Sequence, residues 1–381
     1  MSAARRARNP ARSNQPAAAT PLSDDLLTEN GPADVTERAF GSANRNRLLD
    51  QYFATRGPIK PGEAWEHAYR LLLWIDRTIG LAHCYESDKC QPGRHWYPRS
   101  LAFHGWLAER LGSTPATLKD DVDWLFRNVT AGLDALVLAA SKSTMVQKQR
   151  APYAGQGFPE PGEDPKLLAI VHDALQEWLP AKLPDSVERS LVERIQTHIN
   201  QENKRKNLIG EGFEDTLAAI LRRIPGLAKR YDIRTRQVLH EIPGFNPVRK
   251  GQKERKVDLV LIRKPDGRRT LVTAKWSVRA DREEQFTADF RDYSRAENRS
   301  EDFDYILVTN EFDPARLKRA CEVRVENALM LTSVVHVQPQ GPLVAYQDAV
   351  HHKNWSAPHV YKHIQTGRLT SLEGWITNLT A

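Results

Sequence analysis

Sulfur is scarce in this chain, with three cysteines and three methionines among 381 residues. Three is too few, and too odd a number, for a disulfide framework, so Cys84, Cys90 and Cys321 are expected as free thiols in a reducing, cytoplasmic setting. Long apolar runs are lacking as well. The longest candidates, Leu71–Ile75 and Ala135–Ala140, fall far short of the roughly 18 residues that a membrane helix needs. A helical membrane protein is excluded on that ground, and no secretory apolar segment follows Met1. Acid is missing from the first 22 residues, which are mostly Ala, Arg, Ser, Asn and Pro. Such a segment cannot bury enough surface to offset its ordering entropy, so residues 1–36 are expected to form a disordered basic tail. The rest of the chain has ordinary composition, 40% hydrophobic and 27% charged overall, and a length that suggests two domains or three.

The net charge of +7 is unevenly spread. Residues 201–300 hold 24 Lys and Arg against 15 Asp and Glu, a net of +9, while the remainder nets −2. A block of this kind is either a solvated surface or a face for a polyanion, and composition does not choose between them.

Helical spacing runs from about Glu37 to Ser143. Ala64–Ile79, with Trp65, Tyr69, Leu72 and Leu73, reads as one helix, and Ser100–Leu111 and Thr117–Leu138 read as two more. A cluster of Pro and Gly in Gln147–Pro165 marks a linker. The expected division is therefore a helical domain at 37–150, a linker at 151–165 and a second domain at 166–381. The second opens with helices Lys166–Leu179, Asp185–Gln201 and Leu208–Ile224. Strands are then expected at Lys256–Ile262, Thr270–Trp276, Asp304–Thr309 and Leu329–Val337, with helices Glu283–Ala296 and Pro314–Val323 between them. Interleaved strands and helices give an α/β core with a mixed sheet.

Side chains alternate along a strand, so Asp258 shares a face with Val260 and Ile262, and Thr273 shares one with Lys275. An acid and a lysine among Val, Leu and Ile are costly unless paired. Two readings fit: a buried Asp–Lys salt bridge, or a carboxylate holding a divalent metal beside a lysine that contacts phosphate or water. On Glu283–Ala296, Phe286, Phe290 and Tyr293 form an apolar stripe. Asp289 lies on that same inward face, three residues from Phe286 and four from Tyr293, whereas Glu283 and Asp292 fall outside it. Glu214 sits on the flank of the apolar face of its own helix, three residues before Leu217. Glu214, Asp258, Lys275 and Asp289 can therefore converge. Hard oxygen ligands with open positions suit Mg²⁺, which lowers the pKa of bound water and stabilises charge on a phosphodiester.

The stretch Lys275-Trp276-Ser277-Val278-Arg279-Ala280-Asp281-Arg282 resembles the signature of type II restriction endonucleases that read CCGG cores, a branch of the PD-(D/E)XK nucleases. In that branch the lysine is followed by Arg at +4, an acid at +6 and Arg at +7. One metal-binding acid is also moved from two residues before the lysine to a helix about fourteen residues after it. Here Thr273 holds the vacated place and Asp289 lies fourteen residues after Lys275. Three features depart from the pattern: the relocated acid is Asp rather than Glu, only seventeen residues separate Asp258 from Lys275, and Val257 rather than Pro precedes Asp258. Over the whole chain a weaker likeness is to members of the branch that pair a helical N-terminal domain with this core.

The resemblance implies a restriction-endonuclease-like core, a mixed central sheet flanked by helices, within residues 166–381. It implies a Mg²⁺-dependent enzyme of the prokaryotic cytoplasm that cleaves duplex DNA at a palindrome with a CCGG core, leaves 5′-phosphate ends, and works as a homodimer or higher oligomer. Asp258 and Asp289 would hold the metal, Lys275 would act on the attacking water, and Glu214 would support the site. Arg279, Asp281 and Arg282 would read G·C pairs, since arginine can donate two bonds to guanine and a carboxylate can accept from cytosine N4. Another nuclease of the superfamily, acting in repair or on modified DNA, remains open. So does a DNA-binding protein of the same fold without cleavage, because Thr273 replaces an acid. His83, Cys84, Cys90 and His95 invite a zinc reading, but their spacing matches none of the common ligand pairs, and free thiols in a helix-connecting loop are the expectation.

Overall fold

The computed structural model describes residues 32–77, 79–85, 89–133, 135–137, 151–153, 165–176, 184–247, 254–278, 280–299, 302–349 and 355–381. They fall into two compact units, one from residues 49–124 with 210–381 and the other from 32–48 with 125–209.

The larger unit is built on a six-stranded sheet of β1 (Tyr231–Val238), β2 (Lys256–Arg263), β3 (Arg269–Lys275), β4 (Phe303–Thr309), β5 (Ser333–His336) and β6 (Leu369–Ser371), ordered in space as in sequence. The first three strands form an antiparallel meander, and β3 to β6 run parallel. Parallel neighbours need crossovers. Helices Ala280–Ala296, Pro314–Glu322 and Ala357–Gln365 supply them in turn. This is a mixed central sheet flanked by helices, with helical segments N-terminal to it.

Local sequence explains the central strands. Leu259, Val260 and Leu261 of β2 and Leu271 and Val272 of β3 are fully buried, as strands covered on both faces require. Lys264-Pro265-Asp266-Gly267 turns the chain between them. Gly267 takes φ +74, and Asp266 caps the turn with ion pairs to Arg263 and a bond from the Arg268 amide at 3.2 Å. A second glycine is required by close approach: Gly244 has φ +91, and a β-carbon there would lie 2.0 Å from Nη1 of buried Arg269. Arg269 in turn donates to the Pro243 carbonyl at 3.2 Å and to Glu297 Oε1 at 3.0 Å, tying the start of β3 to the end of the Ala280–Ala296 helix.

Several expected boundaries are corrected. The helix expected at Ala64–Ile79 ends at Leu72, where Leu73 turns to extended backbone. A small hairpin, Ile75–Asp76 with Leu81–Ala82, follows, and Trp74 stacks on His83 across it at 4.0 Å between ring centres. The helix expected at Thr117–Leu138 is broken at Asp123, which has φ 60, into Leu118–Asp121 and Trp124–Thr130. Conversely, Asp185–Gln201 and Leu208–Ile224 are one helix, Asp185–Arg223. The charged stretch between them consists largely of good helix formers, and Arg205 pairs with Glu202 one turn away at 3.1 Å. The strand expected over Leu329–Val337 shortens to Ser333–His336. Strands Tyr231–Val238 and Leu369–Ser371 were not expected from sequence.

In the smaller unit, a helix spans Pro32–Phe40, so residues 32–36, which the tail expectation includes, are helical. Residues 1–31 and most of the expected linker lie outside the described residues. Arg205 lies over the Phe126 ring at 3.6 Å, and Phe126 meets Phe40 at 6.1 Å.

Candidate active site

The chemistry gathers where β2 and β3 meet the Asp185–Arg223 helix and the Ala280–Ala296 helix. Asp258 is the polar interruption of β2, and Lys275 is the last residue of β3. Lys275 Nζ donates to Asp258 Oδ2 at 2.6 Å. The same oxygen accepts from the Ala274 amide at 2.9 Å and from the Thr273 hydroxyl at 3.3 Å. Its partner, Oδ1, takes no hydrogen bond among the described residues. Both side chains are partly open, Asp258 at 20% and Lys275 at 16% exposure. The pair is therefore reachable by a ligand.

Glu214 reaches this place because Phe213, its neighbour on the helix, is buried against Trp276 with ring centres 5.2 Å apart. Trp276 directly follows Lys275, so the contact docks the helix onto the exit of β3. Burial, with Asp258 nearby as a second negative charge, pushes the Glu214 carboxyl up to about 8. Lys275 and Arg236 pull against that rise.

Asp289 is set by aromatic packing on the other helix. Phe290 stacks on Tyr305 of β4 at 5.9 Å, and Tyr293 meets the same ring edge-on at 5.5 Å. Asp289 shares that inward face, with its side chain 15% exposed. Its carboxyl is raised by burial and by Asp258, against the lowering effects of Arg255 and Lys275. Thus the structure brings Asp258 and Lys275 into contact and sets Glu214 and Asp289 within electrostatic reach of both. A cavity of about 270 Å³ lies elsewhere along the Ala280–Ala296 helix, lined by Glu284, Thr287 and Arg291 among others. None of Glu214, Asp258, Lys275 and Asp289 lines it, so it is not the place where these groups meet.

Two arginines at the site were not anticipated from sequence. Arg236 interrupts the β1–β2 ladder between Thr235↔Leu259 and Gln237↔Val257, in a left-handed conformation with φ 49. A side chain held so costs about 1–3 kcal/mol, which needs compensation. The compensation is a fork: Arg236 donates to Glu214 at 3.1 Å and to the almost fully buried Asp215 at 2.6 Å. Arg255, just before β2, meets Asp289 at 3.3 Å and Asp292 at 2.8 Å. Nothing in the residues around Arg236 or Arg255 announces these contacts.

Of the expected base-reading residues, Arg279 and the side chains of Asp281 and Arg282 lie outside the described residues. The segment's start is anchored by Glu311, which is buried and accepts from the amides of Val278, Phe312 and Asp313 at 2.6 to 2.9 Å.

Among the described residues, no group of three or more His, Cys, Asp or Glu side chains is arranged to hold a metal ion. The zinc candidates are occupied separately: His95 bonds Arg99 at 3.1 Å, His83 stacks on Trp74, and Cys84 and Cys90 both bond Ser100. Mg²⁺ asks for less, being held by one or two carboxylates with waters and substrate phosphates completing its octahedron. Asp258 and Asp289 supply two carboxylates within electrostatic reach of each other, and Oδ1 of Asp258 takes no hydrogen bond among the described residues. Neither a protein-family model nor a curated protein sequence matches the chain.

Proposed function

We propose that this chain is a Mg²⁺-dependent nuclease acting on duplex DNA, a type II restriction endonuclease that reads a palindrome with a CCGG core. The observation that carries the reading is the Asp258–Lys275 contact between two internal strands of the sheet, with Glu214 and Asp289 close enough to feel both charges. Two further carboxylates, Glu214 and Asp289, stand near enough to Asp258 for its charge to raise both, and each is balanced by an arginine. The mixed sheet flanked by helices is the architecture that the resemblance implies, and the basic excess of residues 201–300 surrounds these groups in sequence.

Bound at Asp258 and Asp289, Mg²⁺ would supply Lewis-acid stabilisation of phosphoryl charge and a water of lowered pKa. Lys275 then loses part of its hold on Asp258, and its ammonium can donate to a phosphate oxygen or orient the attacking water. Glu214, held by Arg236 and with its carboxyl raised to about 8, supports the site beside Asp258 as a largely protonated group at neutral pH. Attack of water on phosphorus and departure of the 3′-oxygen leave a 5′-phosphate and a 3′-hydroxyl. Arg279, Asp281 and Arg282 would read the G·C pairs. A palindromic target calls for a two-fold homodimer.

A DNA-binding protein of the same fold without cleavage is the second reading, favoured by Thr273, whose hydroxyl donates to Asp258 where an acid would otherwise stand. Run-off sequencing of plasmid ends after incubation with Mg²⁺ separates the two. Uniform breaks within CCGG-containing sites are expected; intact plasmid with retained duplex binding would favour the second reading.

A further inference from the structure

We infer that Arg255 is an exchangeable counter-charge, which neutralises Asp289 while no metal is bound and turns to a DNA phosphate when a divalent cation takes that carboxylate. The inference rests on the function proposed above and adds a residue to it. Each carboxylate assigned to the metal has its own cation here, Lys275 on Asp258 at 2.6 Å and Arg255 on Asp289 at 3.3 Å. A divalent cation on Asp289 would place like charges around one carboxylate, so the longer contact is the one to give way.

The geometry gives Arg255 the means to move. Its backbone is fixed, because its carbonyl accepts from the Leu239 amide at 2.9 Å. Its side chain is 38% exposed, unlike a buried strut. Its guanidinium is also forked, with Nε and Nη2 on Asp292 at 2.8 Å and only Nη1 on Asp289. Asp292 lies three residues from Asp289, on the more open flank of the helix, at 35% exposure against 15%. Arg255 can therefore keep Asp292 as a pivot while it releases Asp289. A planar guanidinium with free N–H groups beside a phosphodiester site is suited to paired bonds with phosphate oxygens.

The test uses full-length Arg255→Gln and Arg255→Lys. Mn²⁺ binding without DNA is followed by electron paramagnetic resonance. Ca²⁺-supported binding of a CCGG duplex is measured at several salt concentrations. Arg255→Gln should bind Mn²⁺ about fivefold more tightly or better, the lower end of ordinary coupling between sites. Its dependence of log affinity on log salt should flatten by about 0.9, one phosphate contact. Arg255→Lys, which keeps the charge, should restore the wild-type salt slope and controls for damage to the fold. Equal or weaker Mn²⁺ binding by Arg255→Gln overturns the counter-charge role while leaving the nuclease reading intact. An unchanged salt slope overturns the phosphate contact. Absence of Mn²⁺ binding by wild type and variant alike overturns this inference, while the nuclease reading is then decided by cleavage of the CCGG duplex.

Discussion

Glu214 is buried beside Asp258, and its carboxyl is held at about 8 rather than the ordinary 4.5. A carboxyl with a raised folded pKa binds its proton more tightly in the folded chain than in the unfolded one. Between 4.5 and 8 the folded state thus holds more protons, and this residue's contribution to stability falls as pH rises through that window. Glu214→Gln removes the ionisation and keeps an acceptor for Arg236. Thermal melts without divalent ions should show a drop in Tm across that window for wild type and a flatter profile for the variant. Parallel profiles would mean that Glu214 is not the buried acid described here. At this scale the sequence was legible where a charged residue interrupts an apolar pattern, as Asp258, Lys275 and Asp289 do. It was silent on Arg236 and Arg255, which lie in polar segments where one more arginine carries no signal. Their partners come from elements distant in sequence, and only the sheet register and helix docking bring them together.

The Ala280–Ala296 helix turns its aromatic stripe to the sheet, with Phe286 and Tyr293 buried and Asp289 between them. Glu284 lines the separate cavity instead. Asp289→Asn should lower single-turnover cleavage by at least about a hundredfold, the scale of losing a group that stabilises transition-state charge. Glu284→Gln should stay within a few-fold of wild type. Comparable losses in both would place the acid that matters one turn nearer Lys275. The helix itself could be read from its spacing of three and four, and β2 and β3 from their apolar stretches on either side of the Lys264-Pro265-Asp266-Gly267 turn. Strand β1 could not, because it pairs only with β2 and most of its residues are half exposed, leaving an alternation too weak to see. The break at Leu73 is hidden in the sequence for the opposite reason. Its residues continue a helical apolar pattern, and the Trp74–His83 stack across a hairpin decides the matter.

Across the whole molecule, the excess of positive charge in residues 201–300 coincides with strands β1 to β3, the acids Glu214, Asp258 and Asp289, and the segment after Lys275. Phosphate contacts from such a block bind all duplexes alike, and base contacts must supply the choice among them. Asp281→Ala should therefore weaken binding to a CCGG duplex by about 1–3 kcal/mol, while binding to a scrambled duplex holds or tightens. Competition titration with Ca²⁺ at fixed salt measures the ratio. An unchanged ratio would detach the segment from base reading. The most direct test of the central claim is single-turnover cleavage of a CCGG-containing duplex with Mg²⁺ by wild type, Asp258→Ala and Lys275→Ala, with duplex binding measured in parallel. Cleavage by wild type alone, with binding kept by all three, is the predicted result. Near-normal cleavage by either variant would contradict the site.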